Sequence, residues 1–412
     1  MKFEESNFAP AIKDNLSRMG FKRPTDIQFK AIPHILKGED VLAIAQTGTG
    51  KTAAFAIPVI NILLREKNAE GIRCMVMVPT RELALQIAGV FEAISEGTSL
   101  KTLCVYGGIE QDPQIKSLSK GVDIIVATPG RMFDLASQGY IHLDKIKILI
   151  LDEADHMLDL GFIHEIRQLV AQLPRNRQTL FFSATIDHEI KKLAYSLVNQ
   201  AIRIQISPKD PVSKNIDHFV TFIEMDDKRF FLERIIKENP ASKILVFVRT
   251  KVRAERVSAA LARVEIDSAT MHGDKDQKER EKAILKFRSG EVSILVATDV
   301  SARGIDIPDV DYVVNYDLPE KAENYVHRVG RTGRATRRGT AISFCSTEEK
   351  SVLDEIQTYL EKDIEVLSIS KTDYKETIDF SIEGPKDWKT LIEEAEKEEE
   401  KRNRKKPFRK KK

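Results

Sequence analysis

Residues 148–155 read ILILDEAD, an apolar run that ends in a cluster of carboxylic acids. Four consecutive branched apolar residues predict a strand buried on both faces, which is typical of a parallel sheet covered by helices. Such a strand delivers Asp152 and Glu153 to its C-terminal end, where open α/β sheets bind their ligands. One acid there can hold Mg²⁺ through water, and a second can take a proton from a water molecule. Acids after a strand also commonly cap the next helix, so this stretch alone leaves both interpretations open.

A second stretch, AQTGTGKT at 45–52, follows an apolar run and precedes a segment with helical spacing. Strand, glycine loop and helix together form the context of a phosphate-binding loop. The glycines allow backbone amides to surround phosphate oxygens, Lys51 brings a charge to them, and Thr52 offers a hydroxyl to Mg²⁺. The strict pattern has glycine where Ala45 stands, so a plain strand-to-helix turn remains the alternative.

The alternation of short apolar runs and amphipathic segments extends over both halves of the chain. Strands are predicted in the first half at Val41–Ala45, Cys74–Val78, Ile124–Ala127, Ile148–Leu151 and Thr179–Phe182. In the second half they are predicted at Lys243–Val248, Ile294–Ala297, Tyr312–Val314 and Thr340–Phe344. Intervening segments such as Glu82–Ile94 and Glu279–Phe287 have helical spacing. This order predicts a parallel sheet with right-handed crossovers in each half.

The 412 residues exceed one ordinary core, so two domains are the default expectation. Pro208 and Pro211, with polar neighbours, mark a linker between the halves. We therefore predict an N-terminal domain at 1–206, a linker at 207–215 and a C-terminal domain at 216–365. A charged extension, expected to be disordered at its end, follows at 366–412.

Charge is concentrated at the C-terminus. The net charge is +2, but residues 401–412 carry nine Lys or Arg, and residues 393–400 carry six Glu and one Lys. Removing these +9 and −5 charges leaves residues 1–392 at −2. Nucleic-acid affinity in the body must then come from local patches, and the basic end is predicted to tether RNA non-specifically or only to aid solubility.

The cysteines and the hydropathy pattern bear on the subcellular location of the protein. Cys74, Cys104 and Cys345 lie far apart and form no Cys-x-x-Cys pair, so neither a zinc site nor a disulfide framework is expected. The longest apolar stretch, at 53–64, is interrupted by Pro58 and Asn61 and is too short to cross a bilayer. We therefore expect a cytoplasmic protein without a membrane partner.

The motifs, taken together in their order and spacing, resemble those of DEAD-box RNA helicases of superfamily 2. They are AQTGTGKT (45–52), PTRELA (79–84), TPGR (128–131), DEAD (152–155), SAT (183–185), TDVSARGID (298–306) and HRVGRTGR (327–334). GFKRPTDIQ at 20–28, with Phe3 upstream, resembles the adenine-reading Q motif of that family. The resemblance covers roughly residues 1–365. The short flanks and the basic tail resemble bacterial RhlE-type members.

The resemblance implies an α/β fold with two tandem RecA-like domains, each a mostly parallel sheet flanked by helices. It also implies ATP and Mg²⁺ as cofactors. By similarity, Phe21 stacks on adenine, Gln28 bonds its edge and Arg23 helps to close that pocket. The other implied nucleotide contacts are Ala45, Gln46, Thr47, Gly48, Thr49, Gly50, Lys51, Thr52, Gly304 and Asp306.

The resemblance also implies the catalytic residues. Glu153 is the expected general base, Lys51 holds the phosphates, and Thr52 and Asp152 hold Mg²⁺. Arg331 and Arg334 are the expected arginine fingers, which contribute about 10³–10⁵ in rate where they have been measured. The segment at 328–338 could otherwise be a solvated basic patch.

RNA contacts are expected mainly at strand ends and helix starts, where amides and side-chain donors meet phosphates. The candidates are Pro79, Thr80, Arg81, Gly108, Thr128, Arg131, Thr250, Gly273, Arg280, Thr298, Asp299 and Arg303. The alternative is that several of them are ordinary helix caps, since Thr80 and Thr128 each precede a helical stretch. Such contacts carry little sequence information, so we predict sequence-independent binding. Asp155, Ser183, Thr185 and His327 are expected to couple the nucleotide site to RNA.

The predicted function is ATP hydrolysis coupled to local unwinding of short RNA duplexes and RNA–protein remodelling, driven by closure of two domains. The same motifs fit an ATP-gated RNA clamp that hardly unwinds, and a DNA helicase is a third alternative. Proteins of ribosome assembly or RNA decay are possible partners, and cold adaptation is equally open.

Overall fold

A computed structural model describes residues 2–45, 48–66, 70–186, 188–206, 212, 215–299, 310–333 and 338–379. The described residues form two compact units, one ending at residue 206 and the other beginning at residue 212. No helix in these ranges is both long enough and apolar enough to span a membrane.

The first unit is a seven-stranded parallel sheet flanked by helices. Its strands are β1 (Val41–Ala45), β2 (Cys74–Met77), β3 (Thr102–Val105), β4 (Ile124–Ala127), β5 (Ile148–Leu151), β6 (Gln178–Ser183) and β7 (Ile202–Ile206). Its helices are α1 (Pro10–Arg18), α2 (Asp26–Leu36), α3 (Lys51–Arg65), α4 (Arg81–Ser95), α5 (Asp112–Leu118), α6 (Pro129–Ser137), α7 (Ala154–Asp159), α8 (Ile163–Gln172) and α9 (His188–Leu197). The strand order is β3-β4-β2-β5-β6-β1-β7.

Alternate residues of each central strand supply the two cores of this unit. In β5, Ile148 and Ile150 join the core beneath α1 to α4, whereas Leu149 and Leu151 join the core beneath α6 to α9. A strand that is buried on both faces needs apolar residues at every position, which explains the unbroken run. The register pairs Ile44 with Ser183 across β1 and β6, so the carboxyl ends of these strands share one edge.

The second unit repeats this architecture. Its strands are β8 (Ile216–Phe222), β9 (Ile244–Phe247), β10 (Ser268–Met271), β11 (Ile294–Ala297), β12 (Tyr312–Asn315), β13 (Gly339–Cys345) and β14 (Glu365–Val366), in the order β10-β11-β9-β12-β13-β8-β14. Its helices are α10 (Lys228–Glu238), α11 (Lys251–Arg263), α12 (Gln277–Ser289), α13 (Ala322–Val329), α14 (Lys350–Leu360) and α15 (Lys371–Asp379). All the strand pairings described in both sheets are parallel, which confirms the predicted fold class.

The second unit continues past residue 365. β14 adds an edge strand, and α15 packs back on α10 through the rings of Tyr374 and Phe231, whose centroids are 4.9 Å apart. The Tyr374 hydroxyl donates to Asp227 Oδ2 at 2.7 Å. The acidic and basic runs of the predicted extension lie outside the described residues, as does most of the predicted linker.

Candidate active site

The phosphate loop follows β1 and leads into α3, whose first residue is Lys51. Gly48 and Gly50 have φ values of 81° and 89°, a backbone region that favours glycine. A Cβ atom on Gly50 would lie 2.6 Å from Nε2 of Gln28, so this position also leaves no room for a side chain. Both glycines are therefore required by the local geometry of the loop.

The start of α2 is hydrogen-bonded to the phosphate loop. Nε2 of Gln28 donates to the Gly50 carbonyl at 3.1 Å, and the Thr25 hydroxyl donates to the Thr49 carbonyl at 2.8 Å. Gln28 Oε1 in turn accepts from the Thr25 amide at 3.0 Å, which completes a capping box. The structure thus places Gln28, predicted to contact adenine, where it also fixes the phosphate loop.

The other two residues of the predicted adenine pocket differ in exposure. Phe21 is partly buried, and its ring packs edge-on against Phe3 at a centroid distance of 6.0 Å. Arg23 is exposed. Phe21 is therefore held by the core, while the Arg23 side chain extends into solvent.

The acids of the tetrad lie beside Lys51. β5, β6 and β1 are adjacent and parallel, so the residues after β5 and β1 meet at one edge of the sheet. Nζ of Lys51 lies 4.0 Å from Oδ1 of Asp152, and both side chains are buried. The ammonium has no hydrogen-bond partner among the described residues. Burial raises the pKa of Asp152 to about 6, against the lowering effect of Lys51.

Glu153 has an unusual backbone conformation. Its φ and ψ are 51° and 48°, in the left-handed region, and it precedes the first residue of α7. Such a conformation in a residue other than glycine costs about 1–3 kcal/mol and is found preferentially at active sites. The Glu153 amide donates to Asp152 Oδ1 at 3.0 Å, which links the orientations of the two acids.

The last acid of the tetrad binds the segment after β6. Oδ2 of Asp155 accepts hydrogen bonds from the amides of Ala184 and Thr185, each at 3.1 Å, and from the Thr185 hydroxyl at 3.2 Å. Ser183 is fully buried, and its hydroxyl has no partner among the described residues. The tetrad and the SAT motif are thus joined by three hydrogen bonds to one carboxylate oxygen.

The donor set fits Mg²⁺ bound together with a nucleotide. Mg²⁺ typically keeps several waters and uses one or two carboxylates plus substrate phosphates. Asp152 and Thr52 follow β5 and β1 at the same sheet edge and could supply one carboxylate and one hydroxyl. Within the described ranges, no cluster of three or more His, Cys, Asp or Glu could hold a metal ion by itself.

Three predicted RNA contacts of the first unit converge at its β2–β4 edge. The Arg81 guanidinium lies against Gly108, whose φ is 80°. Nη2 of Arg131 donates to the Ile109 carbonyl at 2.8 Å. The loop after β3 is therefore bracketed by two cations, which makes this edge a suitable surface for phosphates.

The remaining candidates of the first unit lie at or just before helix starts. The Thr80 hydroxyl accepts from the Leu83 amide at 3.3 Å and caps α4. Thr128 immediately precedes α6, and its amide donates to the Val105 carbonyl at 3.0 Å. Pro79 is buried. Thr80 therefore serves as a helix cap, in addition to any contact with RNA.

In the second unit, Thr250 follows β9 and Gly273 follows β10, the two strands on either side of β11. The Thr250 hydroxyl caps α11 by accepting from the Arg253 amide at 3.2 Å. Gly273 is exposed just after β10, and Arg280 lies partly buried on α12.

Glu255, a carboxylate that lies outside the motifs, holds the segment around Gly273 in place. Glu255, on α11, shares a 2.7 Å hydrogen bond with Nε2 of His272 and accepts from the Thr270 hydroxyl at 2.8 Å. Nζ of Lys275 lies 3.0 Å from the same carboxylate. Burial alone would raise the pKa of Glu255, but these hydrogen bonds together lower it to about 2. Both flanks of Gly273 are thereby anchored to α11.

The start of TDVSARGID is held by contacts within the second unit. The Thr298 amide donates to the Met271 carbonyl at 3.2 Å. Both carboxylate oxygens of Asp299 accept from Arg328, at 2.5 and 2.7 Å. Asp299 was predicted to contact RNA, and the structure places it in this ion pair.

Two relatives match the chain along most of its length. RhpA of Helicobacter pylori, a DEAD-box ATP-dependent RNA helicase, is 39% identical over 367 residues, which are 89% of this chain and 74% of the relative. RhlB of Shewanella amazonensis, an ATP-dependent RNA helicase, is 40% identical over 377 residues, 90% of this chain and 86% of the relative. The family model described as DEAD/DEAH box helicase matches residues 25–193, and that of the helicase conserved C-terminal domain matches residues 227–336.

The chain belongs to the DEAD/DEAH box helicase family. The resemblance noted in the sequence is thereby confirmed, and the RhlE-type subgroup stays a prediction. Because the relatives are named as RNA helicases, the ATP-gated clamp is not favoured.

Solved helicase structures share the fold. Dbp5 of S. cerevisiae bound to RNA and ADP BeF3 superposes with a TM-score of 0.80 at 30% identity, covering 96% of this chain and 99% of that one. Mss116 bound to ssRNA and UDP-BeF gives a TM-score of 0.83 at 27% identity, covering 98% of this chain and 88% of that one.

The helicase motif HRVGRTGR contributes residues with different environments. Arg328 is 1% exposed and was not among the predicted site residues. His327 is partly buried, and its carbonyl accepts from Nε of Arg331 at 3.2 Å. Arg331, a predicted arginine finger, is itself buried. The position of Arg328 between His327 and Arg331, two predicted functional residues, was a sequence signal for its importance. Its partner Asp299 lies 29 positions away, so the sequence did not reveal the pairing.

Some predicted site residues of the helicase lie outside the described part of the chain. They are Gln46, Thr47, Arg303, Gly304, Asp306 and Arg334.

Proposed function

We propose that this ATP-dependent RNA helicase hydrolyses ATP at the edge formed by β1, β5 and β6, and that hydrolysis drives local unwinding of short RNA duplexes and RNA–protein remodelling. The observation that carries the proposal is the buried pair of Lys51 and Asp152, 4.0 Å apart beside Glu153. A buried ammonium without a hydrogen-bond partner among the described residues is unfavourable unless an anion joins it, and phosphate oxygens are such anions.

The proposed reaction transfers the γ-phosphoryl group to water. The carboxylate of Glu153 takes a proton from the water while the water oxygen forms a bond to the γ-phosphorus. The bond from that phosphorus to the bridging oxygen breaks, and ADP and phosphate are released. Lys51, Arg331 and Arg334 stabilise the charge on the phosphoryl oxygens.

Mg²⁺ is proposed to be held by Asp152 and by the hydroxyl of Thr52. The ion, when bound, neutralises charge on the phosphate oxygens. The raised pKa of Asp152, about 6, reflects a buried carboxylate that a cation stabilises in its ionised form.

Adenine recognition is proposed for Phe21, Arg23 and Gln28. Gln28 is the informative member because its amide donates to the Gly50 carbonyl at 3.1 Å. A base bound at Gln28 therefore acts directly on the loop that binds phosphates. Gly304 and Asp306 are proposed to contact the ribose side of the nucleotide.

Coupling to RNA is proposed to run through Asp155. A change in the tetrad on nucleotide binding alters the three hydrogen bonds that Asp155 accepts from Ala184 and Thr185. In the proposed cycle, ATP and RNA bind cooperatively, the two units close, and His327 joins this network. The closed state favours a bent single strand of RNA over a regular duplex. Because opening a base-pair step costs about 1–2 kcal/mol, a bend that disrupts a few steps can release a short duplex.

RNA is proposed to bind through its sugar-phosphate backbone, without sequence preference. The solved structures of Dbp5 and Mss116 are bound to RNA, and candidate backbone contacts here include the cations Arg81 and Arg131. We further propose a cytoplasmic location and partners in ribosome assembly or RNA decay.

The test is RNA-stimulated ATP turnover by two variants. Glu153→Gln should keep ATP and RNA affinity but abolish turnover, because the amide cannot accept the proton. Arg331→Ala should lower turnover by at least about a hundredfold, a threshold set below the 10³–10⁵ effect of arginine fingers. Exposed Arg288→Ala, in the same unit, serves as the control. Normal turnover in the first variant removes Glu153 from the role of base, and normal turnover in the second removes Arg331 from the site.

A further inference from the structure

His156 is a buried histidine beside the proposed general base, Glu153. None of the motifs quoted above includes His156. It is 4% exposed and lies in the first turn of α7, three positions after Glu153. Neither ring nitrogen has a hydrogen-bond partner among the described residues. Burying an imidazole without hydrogen bonds is unfavourable, so folding stability alone would favour an apolar side chain here.

The imidazole faces the Glu153 carboxylate. Nδ1 of His156 lies 3.5 Å from Oε2 of Glu153, outside the usual range for a hydrogen bond. A shift of about 0.5 Å by either side chain would bring the two atoms to hydrogen-bond distance. The two side chains already face each other in the structure, so no backbone change is needed.

The backbone that carries both side chains is fixed. The His156 amide donates to Oδ1 of Asp155 at 3.1 Å, and the Met157 amide donates to the Glu153 carbonyl at 3.0 Å. Oδ2 of Asp155 is bonded to the SAT segment. The imidazole is therefore presented to Glu153 by the same carboxylate that contacts the proposed coupling segment.

We propose that His156 is a positioning residue for Glu153 during ATP hydrolysis. In the neutral tautomer protonated at Nδ1, the N–H donates to Oε2 of Glu153 and leaves Oε1 directed at the attacking water. This inference rests on the proposed role of Glu153 as general base. It explains why a buried polar ring without a partner occupies this position.

The experiment compares His156→Leu with His156→Asn in the full-length protein. Leucine fills the space without a donor, whereas the asparagine amide can place an N–H near the position of Nδ1. We expect His156→Leu to lower kcat about tenfold to a hundredfold, because misplacing a reacting group by about 1 Å has effects of that size. KM for ATP and RNA affinity should stay within twofold, and His156→Asn should retain several-fold more activity. The matched control is His164→Leu, at an exposed position of α8, which should keep kcat within twofold.

Thermal unfolding separates positioning from a structural role. If His156 acts on Glu153, His156→Leu should keep the Tm or raise it by about 2–4 °C while kcat falls. A lowered Tm, or a kcat within twofold of the native value, overturns the inference. Equal loss of kcat in His156→Leu and His156→Asn overturns it as well, because the donor would then be irrelevant.

The Glu153→Gln background distinguishes this inference from the proposed function. Adding His156→Leu there should not lower the residual turnover further, since the group being positioned is already inactive. If Glu153→Gln turns over normally, the proposed base is wrong. If Glu153→Gln is inactive and His156→Leu is normal, only the role of His156 fails.

Discussion

Arg328 donates to both carboxylate oxygens of Asp299, through Nε at 2.5 Å and Nη2 at 2.7 Å. Its Nη1 donates to the Asp317 carbonyl at 2.6 Å, and the guanidinium lies 5.1 Å from the centre of the Phe247 ring. Arg328 thus joins α13 to the end of β9 and to the residues that follow β11 and β12. Because α13 leads directly into Arg331, the placement of the proposed arginine finger depends on this ion pair.

Replacing Arg328 with lysine should disrupt the protein more than its retained charge suggests. Lysine cannot form the two-pronged bond, so it leaves the partly buried Asp299 carboxylate poorly paired. Breaking a fully buried pair costs about 3–5 kcal/mol, and the loss here should lie at the low end of that range. We expect Arg328→Lys to lower the free energy of unfolding by about 3 kcal/mol and RNA-stimulated turnover more than tenfold. Urea unfolding and ATPase assays measure both, with exposed Arg288→Lys as the control. Native values for both quantities would show that Arg328 is dispensable.

The sequence was sufficient to predict the strands buried on both faces. Every strand predicted from an unbroken apolar run is present, including Ile148–Leu151 and Ile294–Ala297. Strands nearer the sheet edges were missed: β10 reads SATM, and β8 reads IDHFVTF. These strands are only partly buried, so polar residues interrupt them and the apolar signal is weak.

The site was predictable only as far as the family motifs extend. The motifs identified Asp152 and Asp155, but not which atoms they contact. Glu255 pairs with His272 and Arg328 pairs with Asp299, and no rule of sequence spacing predicts either pair. His156 follows the tetrad directly, yet only the structure shows that its ring is buried and faces Glu153.

Gly108→Ala should weaken RNA binding specifically. Gly108 has a φ of 80°, and an added Cβ would collide with the Arg81 guanidinium. We expect RNA affinity to fall about tenfold, equivalent to about 1.4 kcal/mol, with KM for ATP unchanged. Fluorescence anisotropy with a labelled single strand measures the affinity.

Gly139→Ala is the matched control for Gly108→Ala. Gly139 has the same φ of 80°, but no atom lies within 4 Å of its added Cβ. It therefore reproduces the backbone strain without disturbing Arg81. Equal losses of RNA affinity in the two variants would attribute the effect to strain alone.

Glu255→Gln should alter the pH dependence of stability. The pKa of Glu255 is lowered from 4.5 to about 2, so the ionised carboxylate stabilises the fold. That contribution is fully present above pH 4.5 and is lost as the pH falls through about 2. The difference in Tm between the native protein and Glu255→Gln should therefore shrink as the pH falls from 4.5 towards 2. A difference that grows in acid contradicts this assignment.

A second buried charge network lies at the start of α10. Nζ of Lys228 is fully buried and donates to the Tyr316 carbonyl at 2.8 Å and to Glu349. Burial lowers the pKa of Lys228, and the carboxylates of Glu349 and Asp317 oppose this effect. Lys228 also donates to the Phe344 carbonyl at 3.3 Å and lies 4.0 Å from Oδ1 of Asp317. Glu349 also accepts from the Leu318 and Ser346 amides, each at 3.1 Å, so it keeps close charge-stabilising donors if Lys228 is removed, whereas Lys228 without Glu349 keeps only the more distant carboxylate of Asp317.

This asymmetry predicts that Glu349→Leu is more destabilising than Lys228→Met. Removing Glu349 leaves a buried ammonium and several orphaned donors, and breaking such a pair costs about 3–5 kcal/mol. Removing Lys228 leaves a carboxylate that Arg249 contacts at 3.3 Å and backbone amides still solvate, so we expect about half that loss. The double variant should be more stable than Glu349→Leu alone, because no buried ammonium is left without its closest carboxylate. Urea unfolding of all four proteins forms a double-mutant cycle, and strictly additive losses would show that the two charges do not depend on each other.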